Sequence, residues 1–312
     1  MGELHELLER DGRSAALRNG EDRRLVEAAT AYLSDESTGI GFLYSGWCQA
    51  ALPHRKPPDD LTWKIESERV TLLVQPGQRP TPNGVMHIGV PFGSRARLIM
   101  IYLQSEALRT KSRDVELGRN MTEWLSKMGI SKGGKSMAMV REQAMRISTC
   151  RLSFHVTAAG ARGLVNQNIV DTAIFLEDKQ DHLQPSLFVE HARLSEGFFD
   201  QLQKHPVPLE DSAIRAINNN SMALDLYAWL AYRLHALKSP TPVSWTALKA
   251  QFGVGFDRVA NFRDTFRLNL GLALAVYPLA KVEIEERGLM LHSSPPPVRQ
   301  RLVKSTSLKI VD

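Results

Sequence analysis

The chain has 312 residues, 43% of them hydrophobic, which at about 150 residues per domain is enough to bury two ordinary cores. A net charge of +5 with a pI near 9.2 permits a polyanionic partner without requiring one, so the distribution of charge must decide. Cys48 and Cys150 are the only cysteines and form no Cys-x-x-Cys pair, which argues against a disulfide framework or a structural zinc site and fits a cytoplasmic chain. The apolar run Ile40–Leu52 is far shorter than the ~20 residues that span a bilayer, and Met1–Arg10 is charged and amphipathic, unlike a signal peptide.

Residues 1–38 read as a partly ordered N-terminal arm, with Leu4, Leu7 and Leu8, then Leu25, Val26, Ala29 and Leu33 at helical spacing. Gly39–Leu52 reads as a short buried helix, closed by Pro53-His-Arg-Lys-Pro-Pro58. Trp63 and Ile65, then Val70, Leu72 and Val74, alternate as a half-buried hairpin, and Pro80, Pro82 and Gly84 mark a loop before Val85–Val90.

Two later stretches repeat one plan. In each, an amphipathic helix is followed by a short helix ending in Gly, a third helix with a polar or basic face, and alternating strands. Thr122–Gly129 aligns with Thr246–Gly253 at an offset of 124 residues, which brings the first helices of both stretches into phase. This is the plan of a winged helix-turn-helix. The fold class expected is therefore α+β, with two tandem winged helix-turn-helix domains and small β-hairpin wings at 39–177 and 219–294. A connector at 178–218 contains one helix from Ser195 to Lys204, and the region is read as a point of interdomain mobility. A basic tail occupies 295–312.

In the first unit, helix Arg95–Thr110 carries the stripe Leu98, Ile101, Tyr102 and either Ala107 or Leu108. The segment Arg95–Arg113 has a local charge of +4. The third helix, Gly134–Ser148, buries Val140, Ala144 and Ile147 and sets Lys135, Met139, Glu142 and Arg146 along its other side. Leu152, Phe154 and Val156 then form a wing that returns through Ile169–Leu176, with Arg162 at its tip. In the second unit, helix Phe256–Ala275 buries Val259, Phe262, Phe266, Leu270 and Ala273. It leaves Asn261 and Asp264 outermost, with Arg258, Thr265 and Arg267 on the flanks. The second wing turns at Arg287-Gly288.

Gly129-Ile-Ser-Lys-Gly-Gly-Lys-Ser136 matches the phosphate-loop pattern letter for letter. Such a loop works because a buried strand delivers its glycines to a helix N-terminus. Here a helix end precedes it, so nucleotide hydrolysis is disfavoured and an NTPase is a distant alternative. A nickase would need a His-x-His metal pair, yet none of the nine histidines lie two apart. Tyr227 and Tyr232 fit the core of an amphipathic helix better than a nucleophile's place. No catalytic residue, metal ligand or cofactor is expected.

The nucleic-acid signals are stronger. A helix can enter the major groove, where Arg pairs with guanine and Asn with adenine. Arg258 and Asn261, in the first turns of the third helix, stand where such readers place base contacts, with Thr265 and Arg267 beside them. Lys135, Ser136, Arg141 and Arg146 suit backbone phosphates. Arg162 and Arg287 suit wing contacts to the backbone or minor groove.

The run Pro91–Arg113, with Arg109-Thr-Lys-Ser-Arg113, then Val115-Glu-Leu-Gly118, Gly133-Gly-Lys135, Arg141-Glu-Gln143 and, upstream, Leu52-Pro-His-Arg-Lys-Pro57, resembles the plasmid-encoded RepA replication initiators over about Gly39–Ser293. The resemblance implies a non-enzymatic initiator of plasmid replication that binds repeated sequences in double-stranded origin DNA. It also implies recruitment of the host initiator DnaA and the replicative helicase, and, as in related initiators, an ability to form a homodimer and repress its own promoter. A winged-helix transcriptional repressor without initiation activity has the same sequence features and stays open as an alternative.

Overall fold

The computed structural model describes residues 2–66, 70–82, 84–158, 161–178 and 186–298. Helix α1 (Gly2–Arg18) bends at Gly12, and α2 (Arg23–Ser34) starts at Asp22, whose carboxylate accepts the Arg24 N–H. Strand β1 (Ile40–Tyr44) follows. Then β2 (Trp63–Glu66) and β3 (Val70–Gln75) pair antiparallel, with Ile65, Val70, Leu72 and Val74 buried on one face as alternation requires. β4 (Gly77–Thr81) and β5 (Gly84–Gly89) form a separate two-stranded hairpin where the sequence suggested a loop and then a strand.

The first repeated unit opens with α3 (Gly93–Thr110), β6 (Asp114–Glu116), α4 (Met121–Lys127) and α5 (Gly134–Thr149). Asn120 caps α4 by accepting the Glu123 N–H. Gly129, at φ 65 in the left-handed region that glycine enters without a Cβ penalty, turns the chain toward α5. After α5 come β7 (Arg151–Ala158), β8 (Ala161–Asn168), β9 (Val170–Asp178) and β10 (Ser186–Leu194). Here the expected wing is corrected. β7 pairs with β3 and β8, giving the sheet order β2-β3-β7-β8, while β9 pairs with β10 and β10 with β6. Alternation identified β7 and β9 as strands but could not say that they belong to different sheets.

The stretch expected to be a connector instead holds β10, α6 (Glu196–Lys204), β11 (Pro206–Glu210) and α7 (Asp211–Ala216). α6 begins at Ser195, as its capping pattern suggests, with the hydroxyl accepting the Phe198 N–H. The second unit is α8 (Ser221–Leu234), β12 (Thr241–Ser244), α9 (Trp245–Phe252), α10 (Val259–Ala275), β13 (Val282–Glu285) and β14 (Gly288–Leu291). Its sheet order is β12-β14-β13. The first unit's β6-β10-β9 is the same order, with the β7–β8 hairpin inserted after the third helix. The helix ends agree: Thr110 and Leu234 close α3 and α8 at the 124-residue offset, and Met121 and Trp245 open α4 and α9 at the same one.

Gly39–Leu52 is not a helix. Ile40–Tyr44 pairs antiparallel with β11, and a short apolar run satisfies either periodicity, so a partner remote in sequence decides. The outer N–H groups of Phe42 and Tyr44 are received by Ser105 Oγ at 2.8 Å and Gln104 Oε1 at 2.6 Å, which closes that strand edge from within. The N-terminal arm packs on α10: Val26 and Ala29 are buried, His5 Nε2 donates to the Ala275 carbonyl at 2.8 Å, and a Cβ at Gly271 would meet Leu25. The α10 core is aromatic, with Phe262, Phe266, Phe252 and Trp245 in edge-on or tilted contact at 5.3–6.0 Å.

Candidate nucleic-acid interface

The third helix of the second unit presents its N-terminal end to solvent. Arg258 occupies the cap position of α10, and Arg258, Ala260, Asn261 and Asp264 are exposed. Val259, expected in the core, is 43% exposed because the helix starts at it rather than at Phe256. Thr265 is half-buried, and its carbonyl accepts from the Asn269 side chain at 2.6 Å. Arg267 is exposed, with its guanidinium 5.7 Å from the Trp245 ring centre; Arg263, one turn earlier, stacks on the same ring at 5.3 Å. The sequence assignment passed over Arg263. Its spacing of four from Arg267, beside the aromatic that opens α9, was the signal available.

In the first unit, the phosphate-loop lookalike lies between α4 and α5, and no strand leads into it. Gly133 holds the cap position of α5 with no side-chain cap, and a Cβ added at Gly133 or Gly134 would meet nothing within 4 Å. The first amides of α5 therefore stand open, with Lys132 and Lys135 exposed and Ser136 half-buried beside them. Arg141 is half-buried farther along the same helix.

Two of the sequence assignments look different in the fold. Arg146 is only 3% exposed. It donates to Asp59 at 2.7 Å, Glu142 at 2.9 Å and the Val90 carbonyl at 3.2 Å, and lies over the Phe92 ring, so it is a structural cation and not a phosphate contact. The helical wheel gave its angle correctly but could not show the chain packed above it. Arg162 lies in β8, opposite Thr157 in the inserted hairpin, and not at the tip of a hairpin with Ile169–Leu176; its side chain lies outside the described residues. Arg287 does sit exposed in the turn between β13 and β14. It shares that wing with exposed Glu283, Glu285 and Glu286, which oppose a phosphate backbone.

The charge of the +4 segment is taken up internally in part, and Lys111 stays exposed. Arg109 pairs with Glu106, Arg113 with Glu196, and Arg95 donates to Asn219 Oδ1 at 2.9 Å. Arg97, 7% exposed on its side chain, joins the two units. Nε and one terminal nitrogen bind the Asp225 carboxylate at 2.8 and 2.7 Å, and the remaining donors reach the carbonyls of Leu52, Pro53 and Gly93 at 2.6, 3.0 and 2.9 Å. All five guanidinium N–H groups thus have acceptors. His54 completes this joint: with Nε2 donating to the Phe252 carbonyl at 3.1 Å, Nδ1 accepts from the Ser221 hydroxyl at 3.1 Å. Burial, then the neighbouring Arg97 charge, push its pKa down to about 4, so the ring is neutral at pH 7. The Leu-Pro-His-Arg motif is therefore a structural joint between α3 and α8, which the sequence did not reveal because Asp225 lies 128 residues from Arg97.

Among the described residues, no cluster of His, Cys, Asp or Glu could hold a metal ion, and no helix is long and apolar enough to cross a membrane. The fold is similar to a crystal structure of domains 2 and 3 of RctB (selenomethionine derivative), with a TM-score of 0.51 and 11% identity over 82% of this chain and 99% of that one. A second crystal structure of RctB domains 2–3 gives 0.46 and 11% over 76% and 83%. No curated protein matches the chain. The family model described as plasmid encoded RepA protein matches residues 90–246, which takes in the whole first unit, the joint to α8 and the start of α9. The chain belongs to the plasmid-encoded RepA family of replication initiators.

Proposed function

We propose that this initiator binds repeated sequences in the plasmid origin through two winged helix-turn-helix units, with α10 reading bases and the start of α5 holding backbone phosphate. The observation that carries this reading is the repeated helix–strand–helix–helix–strand–strand order with one sheet order, each copy leaving the start of its third helix exposed. The two copies differ in chemistry. α10 offers Arg258 and Asn261, the side chains suited to guanine and adenine edges, while α5 offers open amides with Lys132, Lys135 and Ser136. The Arg97–Asp225 joint supports a grip of fixed spacing on neighbouring segments of one duplex, in place of the interdomain mobility read from the sequence. Recruitment of DnaA and the replicative helicase, dimer formation and repression of its own promoter belong to this reading through the family.

The test is plasmid maintenance with the chain supplied in trans. A plasmid carrying the origin but lacking the gene should persist with the intact protein and be lost with Arg258→Ala/Asn261→Ala. Maintenance by that variant at the normal level counts against base reading by α10. Promoter repression that survives without any maintenance favours the repressor reading.

A further inference from the structure

The β4–β5 hairpin has no buried face. Only Gly77 and Gly89, at its base, are buried; Gln78, Arg79, Pro80, Val85, Met86 and His87 are exposed, Val85 by 63% and Met86 by 43%. A two-stranded ribbon with neither face covered is marginal in water, so hydrophobic burial does not account for this element. Its base, by contrast, is fixed firmly against α5. A Cβ at Gly77 would fall on Thr149, and one at Gly89 would fall on Arg146 and Asp59. Gly89 also has a φ of 85, so glycine is required there twice over, by conformation and by space. Arg146 thus serves as the post that ties the Val90 carbonyl, Asp59 and α5 together beneath the hairpin.

Charge identifies the kind of surface this arm fits. From residue 69 to residue 105 the chain contains no Asp or Glu, and none occurs from residue 124 to residue 141, the stretch that leads into and through the exposed half of α5. The hairpin and the first half of α5 are each free of carboxylates and complementary to a polyanion, while Asp59 and Glu142, at the base of the hairpin, are paired with Arg146 and Lys56. The acidic wing of the second unit shows that this is not a property of every hairpin in the chain. In the hairpin, Arg79 stands opposite Met86 and Pro80 opposite Val85, so a cation and apolar side chains share its outer part. Minor-groove arms combine these residue types, the cation attracted by the groove potential and the apolar groups pressed against base steps. Strands of five and six residues extend about 16–20 Å, beyond the ~12 Å width of the major groove that α5 would occupy.

We propose that the β4–β5 hairpin is a DNA-binding arm, held by Arg146 at the side of α5, that contacts the backbone and minor groove flanking the α5 site. The proposal rests on the reading that α5 lies on DNA. Its test uses the full chain and a duplex carrying the plasmid origin, with affinity measured across a salt series and hydroxyl-radical protection mapped at one salt. Arg79→Ala should lower the slope of log affinity against log salt by about 0.9, and Val85→Ser/Met86→Ser should remove protection at one flank while leaving the centre. Replacing residues 78–88 by a short glycine turn should do both. Because the hairpin buries no core, the point variants stay folded even if the replacement does not.

Lys135→Ala in the same series separates the two claims. A changed slope for Lys135→Ala with unchanged slope and protection for the hairpin variants overturns the arm alone. Unchanged slopes for both overturn the placement of α5 on DNA and the arm with it. Loss of self-association in sedimentation, with DNA binding unchanged, would make the hairpin a contact between copies and overturn the proposal as well.

Discussion

Removal of the Asp225 carboxylate tests the joint that fixes the two units to each other. In Asp225→Ala, Arg97 keeps its three carbonyl partners but loses its counter-charge while remaining in a site where its side chain is only 7% exposed. Breaking a buried pair from one side costs about 3–5 kcal/mol, because the surviving charge is uncompensated; this is larger than the net contribution of the pair. Retention of the carbonyl contacts puts the expected loss near the lower end, about 3 kcal/mol. Urea denaturation followed by tryptophan fluorescence measures it through the transition midpoint, with Trp229 reporting on the second unit from its contact with Phe252. The double variant Arg97→Met/Asp225→Leu, which removes both charges, should recover only part of the loss, because the Leu52 carbonyl then loses its donor at a cost of about 1–3 kcal/mol. A change below about 1 kcal/mol for Asp225→Ala would refute the joint.

Arg146→Ala should destabilise the first unit by about 2–3 kcal/mol, less than a fully buried pair would lose because Asp59 and Glu142 are partly hydrated. Lys135→Ala should instead leave the thermal midpoint unchanged and lower the salt slope of DNA binding by about 0.9. His54 makes stability depend on pH. Its folded pKa of about 4 lies below the unfolded value near 6.5, so the unfolded chain binds the proton more strongly; stability is fully present above pH 6.5 and is lost as pH falls toward 4, by about 2 kcal/mol at pH 5. Urea midpoints at pH 7 and pH 5 should differ by that amount in the native chain, and His54→Gln should remove this contribution. Arg258→Ala and Asn261→Ala should each reduce discrimination at one base pair by about 1–3 kcal/mol, measured with single-substituted duplexes.

The parts of the structure that local pattern determines were legible in the sequence. Ser195 stands where a helix starts, and Gly129 where one stops. The 124-residue offset read from two short segments reappears in the helix boundaries of both units. What failed depends on contacts distant in sequence. Period-two alternation in β7 and β9 cannot choose a sheet, and a single helix face cannot show that Arg146 lies beneath a hairpin beginning seventy residues earlier. Arg95 and Arg97 count in the sequence only toward the +4 segment, because their partners, Asn219 and Asp225, lie in the turn before α8 and on it. The exposed starts of α5 and α10 were legible as positions. Glu283, Glu285 and Glu286 were visible as letters, but their opposition to the Arg287 wing contact follows only from their shared exposure.

The central claim is sequence-specific recognition of origin repeats by the second unit, and the most direct measurement is the affinity of the full chain for a duplex of those repeats against a base-shuffled duplex at one fixed salt concentration. The expected result is a preference of at least about 10³-fold for the repeats, falling at least tenfold in Arg258→Ala/Asn261→Ala while affinity for the shuffled duplex is unchanged. Equal affinity of the native chain for both duplexes, or a preference untouched by that double variant, would contradict it.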